Sequence, residues 1–234
     1  MKSRRVLVFQ HADSEHLGLI SKVLFDEGID TVFCCPYRGD RVPTTSDGYQ
    51  GVILMGGPQS VYEETQFPYL HAEMNLISRA LKEGCSVLGV CLGSQLLAHA
   101  LGSRVHAGAR FELGWKEVIL SPCASEDPVF IGLPPRFIPL HWHGDVYDLP
   151  PGAIPLGASA ITPVQGFSFG NRHYAILFHL EMTEEQIALM SSAFPEDLAR
   201  GGIDLEGLLA ETPARLQTIN DIAVGVFHRW AQRL

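Results

Sequence analysis

Cationic residues are scarce in this sequence, and none of its segments is rich in lysine or arginine. The 234 residues contain 17 Lys and Arg against 26 Asp and Glu, which gives a net charge of −9 at pH 7. Proteins that bind nucleic acid through its phosphates present a basic face. We therefore expect that this protein has no nucleic-acid partner.

Long hydrophobic runs are also missing. No apolar run comes near the roughly 18 residues that a membrane-spanning helix needs. The chain starts with a basic segment, but the apolar run at 6–9 is shorter than the roughly 7–15 apolar residues of a signal peptide, and no small-residue cleavage site follows it. These absences predict a cytoplasmic protein that does not bind membranes.

The five cysteines are too irregularly spaced to form a disulfide framework. Their number is odd and no Cys-x-x-Cys spacing is repeated, which also argues against a zinc site built from cysteines. Apolar residues make up 46% of the chain and charged residues 18%, so the chain can bury a sizeable core. Its length suits one α/β domain.

Over the first hundred residues, apolar runs alternate with segments of helical periodicity. Strands are predicted at 6–10, 29–34, 51–55 and 86–90, and helices at 14–27, 68–82 and 92–101. This alternation is typical of βαβ units. It predicts an α/β fold with an open, mostly parallel sheet flanked by helices.

The second half of the chain has shorter apolar segments, at 115–120, 139–143, 154–158, 165–169 and 173–179. They predict antiparallel strands added to the sheet, with a tight hairpin at Gly170 and Asn171. Thr183 begins a capping-box helix, and Thr212 with Pro213 predicts the start of a last helix. We expect one domain over 1–234, with a core at about 5–193 and C-terminal helices at about 194–234.

The segment Gly-Val-Cys-Leu-Gly places Cys91 at a strand-to-helix junction. This is the spacing of a nucleophile elbow, where small residues two before and two after the nucleophile avoid a collision. At a helix N-terminus, the dipole and the free N–H groups favour the thiolate. The N–H of Leu92 would point toward an oxyanion formed on a carbonyl that Cys91 attacks.

A thiolate nucleophile needs a base, and the base needs an orienting group. His179 and Glu181 follow an apolar run and are two residues apart. Residues i and i+2 of a strand face the same side, so Glu181 can reach the His179 ring. Alone, this pair fits a histidine at a strand end with a surface glutamate better than it fits a catalytic pair, but Cys91 upstream reverses this and favours the catalytic hypothesis.

Two further segments are weaker signals. Gly56, Gly57 and Pro58 follow the third strand, at the sheet edge where ligands bind in open α/β proteins, although a simple turn uses the same residues. His141 and His143 could place two imidazoles on one face of a strand. Zinc needs a third protein ligand, and the sequence points to none, so no metal is expected.

Four segments resemble the class I, triad-type glutamine amidotransferase family. They are Gly-Val-Cys-Leu-Gly-Ser-Gln-Leu-Leu around Cys91, Met-Gly-Gly-Pro-Gln-Ser-Val-Tyr from Met55, Phe-His-Leu-Glu ending at Glu181, and His-Trp-His-Gly-Asp at 141–145. The last is similar to the His-Gly-Asp segment of the amidotransferase domain of GMP synthase and of its stand-alone relatives. The resemblance runs from about Val6 to the helix after Thr183 and implies that family's flavodoxin-like fold.

The resemblance implies roles for ten residues. Cys91 is the expected nucleophile, His179 the base and Glu181 its orienting group. Gly57 and Leu92 are the expected oxyanion-hole donors, and the substrate-binding residues are expected to be Gly56, Pro58, Gln95, His143 and Asp145. The family usually has Gln-Phe-His-Pro-Glu, whereas this chain has Leu177 and Leu180 in place of the Gln and the Pro.

The reaction that these residues imply is acyl transfer. Cys91 attacks the side-chain amide of glutamine or another γ-glutamyl compound, ammonia leaves, and water hydrolyses the γ-glutamyl thioester. No cofactor is needed. Three hypotheses remain open: a glutaminase subunit that serves a separate synthetase or acceptor protein, a free-standing γ-glutamyl hydrolase, and a non-catalytic regulatory or binding protein that keeps the fold.

Overall fold

A nine-stranded sheet runs through the computed structural model, which describes residues 4–234. Its strand order is β2-β1-β3-β4-β11-β10-β9-β6-β7, and a separate two-stranded sheet is formed by β5 and β8. The strands are β1 Arg4–Phe9, β2 Ile29–Cys34, β3 Gly51–Leu54, β4 Ser86–Val90, β5 Val105–Trp115, β6 Val118–Leu120, β7 Arg136–Phe137, β8 Leu140–Tyr147, β9 Ile154–Ala158, β10 Gly166–Phe169 and β11 His173–Ile176.

The helices of the described chain are α1 Leu19–Asp26, α2 Tyr69–Glu83, α3 Leu92–Ala100, α4 Glu184–Ala193, α5 Pro195–Gly201 and α6 Leu205–Ala231. They cover both faces of the large sheet. Alternate residues of β1 show this division, since Val6 and Val8 pack with α1, α4 and α6, whereas Leu7 and Phe9 pack with α2 and α3. The period-2 alternation of a strand is what divides the core into these two layers.

The strands β2, β1, β3, β4 and β11 are parallel, and β10, β9, β6 and β7 extend the sheet by antiparallel pairing. The predicted mostly parallel sheet with antiparallel additions is therefore confirmed, except that the predicted strand at 139–143 lies in β8, which pairs with β5 in the separate sheet. The hairpin between β10 and β11 turns at Gly170 and Asn171, both with positive φ. The capping box at Thr183 is also present.

Several predicted boundaries are wrong. The predicted strand at 173–179 ends at Ile176, and the one at 139–143 continues to Tyr147. The first helix begins at Leu19 rather than at residue 14, because Gly18 with φ +49° ends a loop that follows β1. The last helix begins after Asp204, whose side chain accepts a hydrogen bond from the N–H of Gly207, and Pro213 lies inside it. The predicted strand at 115–120 is divided, since Trp115 ends β5 and the next strand starts at Val118.

The C-terminal helix α6 packs into the same core as the N-terminal strand. Its buried residues Leu216, Phe227 and Trp230 belong to the hydrophobic cluster that contains Val6 and Val8. Within residues 4–234, no helix has both the length and the apolar character that crossing a membrane requires.

Candidate active site

The carboxyl ends of three neighbouring parallel strands deliver the candidate site residues to one edge of the sheet. Strand β4 lies between β3 and β11, with Leu54 opposite Gly89 and Ile176 opposite Val90. The loop after β3 contains the Gly56-Gly57 pair, the turn after β4 contains Cys91, and the segment after β11 contains His179. Parallel pairing therefore brings together motifs that are far apart in the sequence.

Cys91 occupies a strained turn between β4 and α3. Its φ is 50° and its ψ is −112°, a conformation that non-glycine residues rarely adopt. A Cβ on Gly89 would lie 2.3 Å from the carbonyl oxygen of Gly93, and a Cβ on Gly93 would lie 2.0 Å from that of Leu54. The two glycines of the elbow motif are thus required by the close approach of backbone to backbone.

His179 and Glu181 make the contact that their spacing predicts. Nδ1 of His179 is 2.7 Å from Oε1 of Glu181, and both side chains are buried. The contact forms beyond the end of β11, where His179 makes a single β-bridge with Leu140. The backbone of Glu181 is fixed as well, because its carbonyl accepts a hydrogen bond of 2.8 Å from Leu19, at the start of α1.

The substitution at the family's proline position has a local consequence. The N–H of Leu180 donates a hydrogen bond of 3.1 Å to Oε2 of Glu181. A proline has no N–H and cannot make this bond. Leu180 therefore holds the carboxylate oxygen that does not bind His179.

A buried glutamate joins Cys91 and His179. Ligating atoms of Glu15, Cys91 and His179 all lie within 4.8 Å of one another. Glu15 comes from the loop between β1 and α1 and packs against Gly56, where a Cβ would lie 1.8 Å from its Oε2. The sequence did not reveal this residue, because the loop was predicted to be helix.

The electrostatics of the site follow from burial and from these neighbours. Burial raises the pKa of Glu15 to about 7, although the imidazoles of His179 and His11 oppose this shift. Burial also opposes charge on His179, but the Glu181 carboxylate and the Cys91 side chain together outweigh burial and raise the pKa of the imidazole well above its ordinary value. These two neighbours therefore stabilise the imidazolium that forms when His179 takes up a proton.

Burial raises the pKa of the Cys91 thiol, and the His179 imidazole and the Leu92 N–H oppose this only in part. In the free protein, burial thus outweighs the effect of the helix N-terminus, which was expected from the sequence to make Cys91 a thiolate. The thiol lies 3.6 Å from the carbonyl oxygen of Trp142 on β8. Nε2 of His179 makes no hydrogen bond, so it is available to the thiol or to a substrate.

Cys91 opens into a cavity of about 120 Å³. Six of the ten expected site residues line it: Gly57, Pro58, Cys91, Gln95, His143 and Asp145. The other four, Gly56, Leu92, His179 and Glu181, adjoin Cys91 or each other without lining the cavity. Residues that sequence reasoning missed also line it, among them Glu15, Ser60, Trp142, Asp197 and Arg200.

One wall of the cavity is polar. The carboxylate of Asp145 accepts hydrogen bonds from Ser60 (2.8 Å) and Tyr62 (3.1 Å), and Gln95 donates to the backbone carbonyl of Asp145 (3.1 Å). His143 also lines the cavity, and its Nε2 is directed to Glu112 and Gln165.

Helix α5 forms the mouth of the cavity, and no sequence signal singled it out. Asp197 accepts a hydrogen bond of 3.0 Å from the indole of Trp142, and it also pairs with Arg200 at 3.5 Å. The guanidinium of Arg200 lies over the ring of Phe111, 4.7 Å from its centroid. Arg200 is thus an exposed cation at the rim of a site that otherwise contains carboxylates.

Residues 31–190 match the protein family described as "Glutamine amidotransferase class-I". Among curated proteins, the glutamine amidotransferase-like protein YfeJ of Salmonella typhimurium is 30% identical over 198 residues, which is 83% of each chain. A glutamine-hydrolyzing GMP synthase of Thermomicrobium roseum is 42% identical over 153 residues, 64% of this chain but only 27% of that synthase. This chain is thus similar to about a quarter of the synthase.

Solved structures agree in fold over the whole chain. A glutamine amidotransferase from Thermotoga maritima superimposes with a TM-score of 0.89 at 29% identity, covering 99% of this chain and 100% of that one. A glutamine amidotransferase from Methylobacillus flagellatus also gives 0.89, at 27% identity and with coverage of 100% and 96%.

Proposed function

This chain belongs to the class I glutamine amidotransferase family, and from that premise we propose that it hydrolyses the side-chain amide of glutamine through a thioester on Cys91, releasing ammonia. One observation supports the proposal above all others. A cysteine at a strained strand-to-helix turn has a histidine beside it and a carboxylate 2.7 Å from the far nitrogen of that histidine, and the cysteine opens into a cavity. This is the geometry of nucleophile, base and orienting group.

The first step in this mechanism is attack by the Cys91 sulfur on the amide carbon of the substrate. Because burial disfavours a free thiolate, the thiol proton passes to Nε2 of His179. The Glu181 carboxylate stabilises the imidazolium that forms, and the hydrogen bond from Leu180 fixes the direction of that carboxylate. His179 then gives the proton to the departing ammonia.

In the second step, a water molecule attacks the γ-glutamyl thioester, with His179 as the base, and glutamate leaves. The oxyanion of each tetrahedral intermediate is stabilised by the N–H groups of Leu92 and Gly57. Leu92 follows Cys91 directly at the N-terminus of α3, where backbone N–H groups are free. Gly57 packs closely against the Leu92 side chain. A Cβ added to Gly57 would lie only 2.9 Å from Leu92 Cδ2.

The amino-acid end of glutamine is assigned to the polar wall. Asp145, held by Ser60 and Tyr62, is the anion for the α-amino group. Arg200, the cation at the rim of the cavity, pairs with the α-carboxylate. Recognition at this end fixes the distance from the α-carbon to the reacting amide, so a substrate that is one methylene shorter places its carbonyl away from Cys91.

The test is ammonia release by the purified protein from L-glutamine, L-asparagine and a series of γ-glutamyl amides. We expect turnover of glutamine and none of asparagine. The matched pair of variants is Cys91→Ala, which should be inactive, and Cys123→Ala, which removes an exposed cysteine and should keep full activity.

The same assay separates the remaining alternatives. Faster turnover of larger γ-glutamyl amides than of glutamine would favour a free-standing γ-glutamyl hydrolase. Glutamine turnover that rises when a separate synthetase or acceptor protein is added would favour a glutaminase subunit. Comparable activity on asparagine would contradict the assignment of the polar wall. No activity on any γ-glutamyl compound would favour the non-catalytic hypothesis.

A further inference from the structure

A second cluster of chemically reactive side chains lies behind the cavity. Glu112 on β5 and His141 and His143 on β8 each direct a ligating atom to a common point, and these atoms all lie within 4.8 Å of one another. Nδ1 of His141 is 3.9 Å from Oε1 of Glu112, and Nε2 of His143 is 3.5 Å from Oε2. All three side chains are buried, with exposures of 0–2%.

Strand pairing explains why these three residues meet. His141 and His143 are two residues apart on β8, so their side chains are on the same face. In the antiparallel register of the two-stranded sheet, Glu112 is directly opposite His143 and Gly114 is opposite His141. The third ligand that the sequence did not reveal is therefore supplied across the strands.

The polar atoms of this cluster are poorly satisfied by the protein. Neither ring nitrogen of His141 makes a hydrogen bond of good geometry, nor does Nδ1 of His143, although backbone groups of Lys116 and Asp145 lie near the two rings. Buried polar groups are rarely left in this state, because each costs on the order of 1–3 kcal/mol. An unpartnered, fully buried imidazole next to a carboxylate points to a bound group.

The charges give the same indication. A neutral imidazole has one ring nitrogen with a lone pair to donate, so each of the two rings can offer one ligand atom. Within the described residues, these neutral rings are the sole ionisable groups paired with the Glu112 carboxylate, and a buried carboxylate without a cation is costly.

We propose that Glu112, His141 and His143 bind a divalent transition-metal ion, with Zn²⁺ the ion that the donor set fits best. Two neutral imidazoles and one carboxylate are ordinary zinc ligands. In a tetrahedral site with bonds of about 2.0–2.1 Å, donor atoms are roughly 3.3 Å apart. One ligand atom from each of the three residues lies within 4.8 Å of the other two, and His141 Nδ1 is 3.9 Å from Glu112 Oε1, so small side-chain movements would bring them to this spacing.

Neighbouring side chains hold the carboxylate as outer-sphere partners of a metal do. Thr162 and Gln165 donate hydrogen bonds of 2.8 and 2.9 Å to Oε2 of Glu112, which leaves Oε1 for the ion. The amide oxygen of Gln165 is itself buried and unpartnered, while its nitrogen is 3.4 Å from Nε2 of His143.

The metal has a path to the cluster and a structural consequence there. His143 lines the candidate active-site cavity, and Glu112 lines a second cleft of about 530 Å³ on the other side. Trp142, between the two histidines, has its carbonyl against the Cys91 thiol. An ion held by β5 and β8 would therefore stiffen the strand that forms the wall of the glutamine cavity, with no part in the chemistry.

The experiment measures metal binding and does not depend on glutaminase activity. Zn²⁺ is titrated by calorimetry into the metal-free Cys91→Ala chain, because Glu15, Cys91 and His179 could also chelate zinc. We expect one zinc per chain and a rise in Tm on binding. His141→Gln and Glu112→Gln should each weaken the affinity at least about 100-fold. The matched control, His71→Gln, removes an exposed histidine and should leave the affinity unchanged.

A second measurement needs no change in the ligand set. Co²⁺ bound to the Cys91→Ala chain should give the visible spectrum of a tetrahedral nitrogen and oxygen site, without a sulfur charge-transfer band. The proposal is wrong if the Cys91→Ala chain binds no zinc, or if zinc binds equally well to the His141→Gln and His71→Gln chains. If His141→Gln does not fold, Glu112→Gln and the Co²⁺ spectrum decide.

Discussion

The N–H of Leu180 donates a hydrogen bond of 3.1 Å to the side chain of Glu181, the same carboxylate that binds His179 through its other oxygen. One backbone group thus fixes the orienting residue of the proposed triad. The family's usual proline at this position could not do so, because it lacks the N–H. The departure from the family motif replaces a rigid backbone link with a hydrogen bond.

The first prediction concerns this bond. Leu180→Pro should lower the free energy of unfolding by about 1.5–3 kcal/mol, since it removes a hydrogen bond to a charged, buried carboxylate. Urea unfolding measures the loss, and Leu180→Met keeps both the N–H and most of the buried volume as a control. In a Glu181→Ala background, Leu180→Pro should cost less. An equal cost in both backgrounds would show that the proline ring, rather than the lost hydrogen bond, is responsible.

The second prediction separates base from orienting group. His179→Ala should reduce kcat for glutamine at least as much as Glu181→Ala, because Glu181 acts only through the imidazole. Added to Glu181→Ala, the change His179→Ala should reduce kcat by less than it does in the unmutated protein. Steady-state kinetics of the two single variants and the double variant measure this. Independent, multiplying losses would contradict the proposed triad.

The third prediction uses the raised pKa of Glu15, about 7 against an ordinary 4.5. Between these pH values the folded chain binds the proton and the unfolded chain does not, so stability falls as the pH rises, by up to about 3 kcal/mol. Glu15→Gln removes this penalty. Its gain in Tm over the unmutated protein should therefore be larger at pH 8 than at pH 5.

The exposed residue Glu196 provides the control for that experiment. Glu196→Gln should change Tm little and equally at the two pH values, because an exposed carboxylate keeps its ordinary hydration. A Glu15→Gln gain that does not grow with pH would show that Glu15 is already charged in the folded protein.

The fourth prediction tests the close approach at the elbow. Gly93→Ala should destabilise the fold by about 1–3 kcal/mol or more, because its Cβ would lie 2.0 Å from the Leu54 carbonyl oxygen, an overpacking that the backbone must relieve. Gly225→Ala is the matched helical control, where the Cβ meets only the flexible end of Arg229. That change should stabilise α6 by about 0.5–1 kcal/mol. Equal effects in urea unfolding would contradict the packing of the elbow.

The fold was largely predictable, because strand and helix periodicities are local properties. The last helix shows where such reasoning stops. The predicted face, with Leu216, Phe227 and Trp230, is buried as expected, but the predicted start at Thr212 is wrong. The helix continues through Pro213 because Leu208 extends the buried face. Pro213 has no N–H, so only the carbonyl of Leu209 loses its helical hydrogen bond, and Leu209 is exposed.

Site residues that lie in short sequence motifs were predictable. Site residues that tertiary contacts bring to the cavity were not. Cys91, His179 and Glu181 were proposed from short motifs and a family resemblance, and the structure places their side chains next to one another. Glu15 was missed because its loop contains apolar residues at helical intervals, and Glu112 because only the register of β5 against β8 brings it to His143. Cross-strand partners leave no signal in a single sequence.

The most direct test of the central claim is covalent trapping at Cys91. The protein is treated with a glutamine analogue that carries a chloromethyl ketone in place of the amide, and the modified peptide is mapped by mass spectrometry. We expect one adduct per chain, on the buried Cys91 rather than on the exposed Cys123, and slower formation of this adduct in the presence of L-glutamine and in His179→Ala. Labelling of Cys123 in preference to Cys91, or labelling of Cys91 that glutamine does not slow, would contradict it.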